Sequence, residues 1–351
     1  MILDGLSLSL EDIERVALDL AVPVCLSDEA AKRIEASRKF IEELVDSGEP
    51  VYGVTTGFGR LSDIAVPPEE REALQRNLVR SHASGVGTPM DRTSVRAILL
   101  LRANALARGN SGCRLLVVEQ LLRLLNTGIH PRVPEFGSVG ASGDLAPLAH
   151  VALGVIGEGS AEYSGMEQPI EEAMVAEGMT PITLGSKEGL ALINGTQATT
   201  GLGILALMAA ERAVEIAEVA GAMSLEALLG TPVPFRKEIH EARPHKGQGI
   251  SASRLRSLLV DSEIRASHKE DDPRVQDAYS LRCIPQVHGA AREALDYVRG
   301  ILEVEANSAT DNPLVFPSQE MVISGGNFHA QIVSQSLDLL TIAVADMAAI
   351  S

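Results

Sequence analysis

Apolar residues recur at helical spacing through the first third of the chain. Residues 28–48 show the pattern: Ser27 precedes the apolar face in an N-cap position, and Gly48 follows it where a helix would end. The same order of cap, periodic apolar face and closing Gly or Asn-Gly returns three times, in residues 67–82, 91–110 and 111–128. This pattern predicts a mostly helical first third, with Gly-rich loops between the helices.

Long Ala- and Leu-rich segments dominate the second half of the chain, for example residues 201–230 and 288–308. Helices of this length and apolarity must bury much of their surface, which predicts a bundle of long helices. The uncharged run 193–210 includes polar residues such as Asn194, which favours a buried helix over a membrane span. Residues 337–351 keep a helical pattern without Gly, Pro or a basic last turn, so we interpret the chain as truncated inside a helix.

The expected fold class is therefore mainly α. We assign residues 1–193 to an N-terminal helical domain whose Gly-rich loops carry an Ala-Ser-Gly turn. Residues 194–351 form a central long-helix bundle, incomplete at its C-terminal end. Composition supports close helix packing, because 45% of the residues are hydrophobic, only 3% are aromatic and Trp is absent, so the core must be built from Ala, Leu, Ile and Val.

Charge and cysteine content narrow the possible partners. A formal net charge of −17 argues against nucleic acid and anionic membranes, because the mean field repels polyanions, and an anionic substrate then needs a local cation. Cys25, Cys113 and Cys283 lack metal-ligand spacing, which indicates reduced thiols with packing roles and no metal site. Residues 1–16 carry acids where a secretory signal carries bases, so we expect a cytoplasmic protein.

The stretch GSVGASGDLAPLAH, residues 137–150, is unusually rich in small residues just before an apolar, helix-like run. Holding so flexible a segment in one conformation costs entropy, which indicates a specific use of its backbone. In a tight turn, the Gly143 nitrogen can attack the Ala141 carbonyl carbon. Loss of two waters, one from the Ser142 side chain, then leaves a methylidene-imidazolone with an electrophilic carbon.

With these residues the sequence resembles the aromatic amino-acid ammonia-lyase family, most closely its histidine-using branch. The resemblance covers nearly the whole chain. It departs from the common pattern at Ala278 and Ala330, which bears on substrate fit. The motifs that carry it occur in the family's order: YGVTTGFGRL, RSHASGVG, GSVGASGDLAPLAH, NGTQATT, QDAYSLRC, ATDNPLVF and SGGNFHA.

The resemblance implies a fumarase/aspartase-like helical bundle, a methylidene-imidazolone formed autocatalytically from Ala141, Ser142 and Gly143, and no metal or nucleotide. It also implies a homotetramer whose sites combine residues of three chains. The reaction is elimination of ammonia from L-histidine to give trans-urocanate, the first step of histidine degradation. The Gly-Ser-Ser-x-Met-Pro loop of fumarases and aspartases is not in this sequence.

Residue roles follow from the same resemblance. Tyr52 matches the base that takes the β-proton, and Tyr279 would orient that proton or the leaving group. Arg282 matches the residue that binds the substrate carboxylate, a role suited to a planar, permanently charged fork. Gln276 and Asn194 would hydrogen-bond the substrate or the ring oxygen.

Two further positions bear on substrate choice. His82 would hydrogen-bond the substrate imidazole, and Phe328 would pack beside the prosthetic ring. Without the resemblance, Tyr52 is read as a half-buried loop tyrosine, His82 as a core histidine and Phe328 as ordinary core. His150 and His288 are interpreted as structural.

Three other functions stay open at this point. The alternatives are a tyrosine or phenylalanine ammonia-lyase, or an aminomutase with the same prosthetic group. The chain would also serve as a catalytically inactive helical scaffold, since a truncated chain can fold and associate without turnover. Measuring the intact mass would distinguish the inactive scaffold from the enzymes, because ring formation removes two waters per chain.

Overall fold

Helices make up most of the chain in the computed structural model, which describes residues 1–57, 66–270, 272 and 274–350. The mainly α fold expected from the sequence is confirmed. The helices, in chain order, are α1 Leu10–Leu18, α2 Asp28–Ser47, α3 Arg71–His82, α4 Arg92–Ala107, α5 Leu115–Thr127, α6 Leu145–Val155, α7 Ile170–Ala176, α8 Glu188–Ile193, α9 Gln197–Ala227, α10 Lys237–Ala242, α11 Lys246–Leu258, α12 Glu263–Ser267, α13 Tyr279–Arg282, α14 Ile284–Ala306 and α15 Gln331–Ile350.

Short strands connect some of these helices. The first pair is parallel and the other pairings are antiparallel. The pairs are β1 Ile2–Leu3 with β2 Cys25–Leu26, β3 Val86–Pro89 with β5 Pro134–Phe136, and β8 Leu314–Phe316 with β9 Met321–Ile323; β4 His130–Pro131, β6 Ser160–Tyr163 and β7 Met166–Pro169 form a three-stranded sheet.

The chain divides into two compact units. Unit 1 comprises Met1–Ile204 and Leu302–Ser334, and unit 2 comprises Leu205–Ile301 and Gln335–Ser351. Each unit is therefore made of two stretches of chain. The division into domains 1–193 and 194–351, drawn from the sequence pattern, stays a prediction.

Helix α2 shows why the sequence pattern located helix ends well. The Ser27 side chain accepts a hydrogen bond from the Ala30 amide at 3.1 Å, which satisfies one of the free N–H groups of the first turn. Gly48 ends the helix in the left-handed region with φ of 72°, a conformation that glycine adopts without steric cost. Both capping predictions are confirmed.

Helix α4 is the central helix of unit 1, and it is buried on every face from Ser94 to Ala107. The sequence pattern predicted a single apolar face, and that expectation is too narrow. The polar residues Arg96 and Arg102 are buried because their guanidinium groups bind backbone carbonyls. Arg96, for example, donates to Val16 O at 2.9 Å and Leu125 O at 2.8 Å, in the last turns of α1 and α5, where carbonyls lack helical partners.

Two local predictions are wrong. Cys25 is exposed rather than packed, because it lies in a two-residue strand at the surface; Cys113 is buried as expected. The second Gly-rich segment is not wholly a loop, since Val86–Pro89 forms β3 by pairing with residues distant in sequence. Part of the first Gly-rich motif, residues 58–61, lies outside the described residues.

Helix α15 has the length and apolarity of a membrane span, with a mean hydropathy of 1.4 over its best window, 28% of which is buried. Core helices of water-soluble proteins meet the same criteria, so a single such helix is weak evidence. Among the described residues no other helix meets these criteria, and residues 193–210, considered above, do not meet them either. The absence of a membrane partner stays a prediction.

Candidate active site

The Ala-Ser-Gly turn lies directly before α6, as the sequence indicated. Gly143 has φ of +87°, and isolated bridges pair it with Gly140 and Ala141, so the backbone folds tightly back on itself. The Gly143 amide donates only a long hydrogen bond, 3.4 Å, to Gly140 O. Ala141 and Ser142 are exposed, whereas Gly143 is buried.

Gly143 is in close contact with the backbone of a second glycine, Gly195. A Cβ at Gly143 would lie 2.7 Å from Gly195 O and 3.0 Å from Gly195 N, so no larger residue fits. The Asp144 amide donates to the same Gly195 carbonyl at 2.6 Å. The turn therefore has one open side, which carries Ser142, and one side in close contact with backbone.

A buried carboxylate holds both ends of this turn. Asp144 is 0% exposed and accepts hydrogen bonds from Ser138 Oγ at 2.5 Å, Thr199 Oγ1 at 2.6 Å and the Thr199 amide at 2.7 Å. These donors stabilise a buried charge that would otherwise be costly. Because Ser138 precedes the tripeptide and Asp144 follows it, one carboxylate fixes the start and the end of the turn.

Five of the predicted site residues line one cavity of about 260 Å³ in unit 1. They are Tyr52, His82, Ser142, Asn194 and Phe328, and apolar side chains fill most of the remaining wall. A second cavity of about 350 Å³ shares His82 and Ser142 and includes Ala141 and Gly143. The tripeptide is thus open to a space with a phenol, an imidazole, an amide and a phenyl ring on its walls.

The imidazole of His82 is oriented by the helix that carries it. Its Nδ1 lies 2.9 Å from Leu78 O, four residues earlier in α3. A carbonyl oxygen only accepts, so we assign the proton to Nδ1. In the neutral ring, Nε2 then carries the lone pair and can accept a hydrogen bond.

Asn194 occupies the connection between α8 and α9 and is 5% exposed. Its side-chain nitrogen donates to Asn312 O at 3.1 Å. Its Oδ1 would lie 3.4 Å from a Cβ at Gly143, so it faces the turn. The side chain is held between two loops of unit 1.

The remaining predicted residues belong to unit 2. Gln276 is exposed, and Tyr279, the first residue of α13, is 72% exposed. Arg282 is half-buried and its Nε donates to Asp277 O at 2.9 Å. Asp277 is itself buried and accepts from the Thr231 amide at 2.5 Å, which holds the backbone of this segment.

Sequence reasoning missed three residues around the turn: Asp144, Gly195 and Arg102. Asp144 was quoted in the motif without a role, and Gly195 was part of NGTQATT. Arg102 had a usable signal, because it stands within ILLLRANALA, where an arginine surrounded by apolar residues on every helical face cannot reach solvent.

His150, in α6, binds the backbone of the segment before β3. Its Nε2 accepts a hydrogen bond from the Gly85 amide at 3.2 Å, and burial lowers the pKa of the imidazole. Across the described ranges, no group of three or more His, Cys, Asp or Glu side chains is arranged to hold a metal ion. The expectation that no metal takes part stays a prediction.

Comparison with known proteins gives consistent results. A family model described as aromatic amino acid lyase matches residues 8–351. A histidine ammonia-lyase of Myxococcus xanthus is 51% identical over the whole chain, which spans 69% of that relative. The crystal structure of histidine ammonia-lyase from Trypanosoma cruzi matches with a TM-score of 0.91 at 43% identity, over 99% of this chain and 65% of that one. The structure of tyrosine aminomutase from Streptomyces globisporus matches with a TM-score of 0.93 at 38% identity, over 100% and 69%.

Proposed function

Because the chain belongs to the aromatic amino acid lyase family, we propose that it is a carbon–nitrogen lyase that removes ammonia from L-histidine to give trans-urocanate. Identity is higher to the histidine ammonia-lyases, 51% and 43%, than to the aminomutase, 38%. The observation that carries the proposal is the cavity in which Ser142 meets Tyr52, His82, Asn194 and Phe328.

The residues at the turn fit a methylidene-imidazolone. Gly143 has no room for a Cβ, and its amide nitrogen is held only by a long hydrogen bond, so it is available to close a ring with Ala141. Ser142, whose hydroxyl is lost in the ring, is exposed towards the cavity. When formed, this group supplies an electrophilic carbon to the substrate amino group.

The chain's own side chains bind and orient the substrate. Tyr52 takes the β-proton as general base. His82 accepts the imidazole N–H of histidine at its Nε2, because Nδ1 already donates to Leu78 O. Asn194 Oδ1 faces the turn and accepts from the substrate amino group, while the apolar walls pack against the substrate.

Arg282 binds the substrate carboxylate through its guanidinium fork, and Gln276 and Tyr279 orient the substrate beside it. A local cation is needed because the chain has a net charge of −17, which also makes nucleic acid an unsuitable partner. The proposal includes a cytoplasmic homotetramer, in which copies of the chain complete one another's sites. The exposure of Gln276 and Tyr279 supports this arrangement.

The experiment is incubation of the protein with histidine, phenylalanine and tyrosine separately, followed by product analysis and intact mass. We expect urocanate from histidine, and a chain two waters lighter than its sequence. A β-amino acid from tyrosine or phenylalanine would instead indicate an aminomutase. An unmodified chain that folds and gives no product would support the inactive scaffold and overturn the proposal.

A further inference from the structure

Arg102 is 0% exposed and binds the segment whose Gly195 contacts the Ala-Ser-Gly turn. From α4, its Nη1 donates to Asn194 O at 3.0 Å and to Gln197 Oε1 at 2.5 Å. Its Nη2 donates to Ala191 O. One guanidinium thus binds the last turn of α8, the connection after it and the first residue of α9.

This arrangement satisfies carbonyl groups that the end of α8 leaves without helical partners. A cation is also favourable at a helix C-terminus, where the peptide dipoles present partial negative charge. Gln197 is oriented for the same purpose, because its Nε2 donates to Thr310 Oγ1 at 2.8 Å and its Oε1 is thereby turned to Arg102. A planar guanidinium suits this arrangement, because its N–H groups are spread over separate nitrogens and here Nη1 and Nη2 together serve the three acceptors.

Gly195 is the single residue that lies between this guanidinium and the turn. On one side, a Cβ at Gly195 would overlap Gln197 Oε1 and Arg102 Nη1. On the other side, Gly195 O accepts from the Asp144 amide and limits the space at Gly143. Arg102 therefore contacts the carbonyl of Asn194, and the next residue, Gly195, contacts Gly143.

We propose that Arg102 is a positioning residue that holds the Asn194–Gly195 backbone against Gly143 and so brings the Gly143 nitrogen to the Ala141 carbonyl carbon for ring closure. The bond formed is Gly143 N to Ala141 C. The Ala141 oxygen leaves as water with the amide hydrogens of Ser142 and Gly143. The Ser142 hydroxyl leaves as a second water with the Ser142 α-hydrogen. This inference rests on the proposed function, which requires the ring.

The test compares Arg102→Lys with Arg96→Lys. Lysine keeps the charge but has one nitrogen, so it cannot span the three acceptors of Arg102. Arg96 is a matched control, because it lies on the same helix, is 1% exposed and also donates to backbone carbonyls, those of Val16 and Leu125. For both variants we would measure thermal unfolding, the ring-bearing fraction by intact mass, and hydrogen exchange at the Asp144 amide.

We expect both variants to fold with comparable losses in Tm. Only Arg102→Lys should show a severalfold smaller ring-bearing fraction and about tenfold faster exchange at Asp144, the change expected for loosening one hydrogen bond. Equal ring content and equal Asp144 exchange in the two variants would overturn the proposal, since Arg102 would then act on stability alone.

Two further measurements test the proposal when the first comparison cannot be made. If Arg102→Lys does not fold, Gln197→Ala removes one acceptor and leaves the guanidinium in place; it should lower ring content less strongly, and unchanged ring content overturns the inference. If the unsubstituted chain carries no ring, the proposed prosthetic group fails. Asp144 exchange alone then decides whether Arg102 holds this backbone.

Discussion

The two groups of predicted site residues are held in different ways. In unit 1, the turn is fixed at both ends by Asp144, and Gly143 is in close contact with Gly195. In unit 2, Tyr279 is 72% exposed and the Arg282 guanidinium has a backbone carbonyl as its hydrogen-bond acceptor. The Ala-Ser-Gly turn is therefore fixed by hydrogen bonds within unit 1, whereas in unit 2 Gln276 and Tyr279 are exposed at the surface.

The largest expected effect is that of Ser142→Ala in the fixed region. Alanine has no hydroxyl to lose, so the ring cannot form and turnover should be abolished. Stability should change by less than about 0.5 kcal/mol, because Ser142 is exposed. Intact mass, thermal unfolding and urocanate production measure the three quantities. An active variant without the ring would contradict the whole assignment.

Tyr52→Phe separates ring formation from proton transfer within the same cavity. We expect the two-water mass loss to be retained, since Tyr52 lies outside the turn, while kcat falls by ~10²–10⁴, the usual contribution of an acid–base group. The measurement is kcat with histidine at matched ring content. A fall of less than about tenfold would mean that another group takes the β-proton.

His82→Leu tests whether the cavity distinguishes imidazole from phenyl. Leaving a substrate N–H without its acceptor costs ~1–3 kcal/mol, so kcat/KM for histidine should fall by ~10–100-fold, with a much smaller change for phenylalanine. His82→Asn keeps an acceptor and should recover part of the loss. If histidine and phenylalanine lose equally, His82 has a structural role only.

Arg282→Lys tests the exposed region and has the smallest expected effect. Lysine keeps the charge and loses the fork, so KM for histidine should rise by about tenfold with a smaller change in kcat. Ring content should equal that of the unsubstituted protein, because ring closure depends on residues of unit 1. Reduced ring content in this variant would remove the distinction between the two regions.

Local chemistry explains which parts of this fold could be predicted. Helix α2 was predicted to within a residue because its ends depend on Ser27 and Gly48, neighbours in the chain. β3 was missed because its pairing partner, Pro134–Phe136, is more than forty residues away in sequence. The all-round burial of α4 was missed because arginines normally mark a solvated face. Here acceptors distant in sequence, among them the carbonyls of Val16, Leu125 and Ala191, allow the arginines to be buried.

The site residues divide in the same way, into those that local sequence predicts and those that it does not. Ala141, Ser142 and Gly143 were identified from their own chemistry, since few other tripeptides can cyclise in this way. Their grouping with Tyr52 and Phe328 depended on resemblance, because no local pattern relates residues so far apart in the chain.

The contact between Gly143 and Gly195 also sets how this cavity can be redesigned. A side chain at either glycine would collide with its surroundings. The cavity beside the turn is lined by side chains, among them Leu78, Leu190 and Phe328. A library that keeps both glycines and Phe328 and varies Leu78 and Leu190 would therefore change the shape of the cavity and leave the turn intact, whereas larger residues at either glycine should prevent the turn from adopting this conformation.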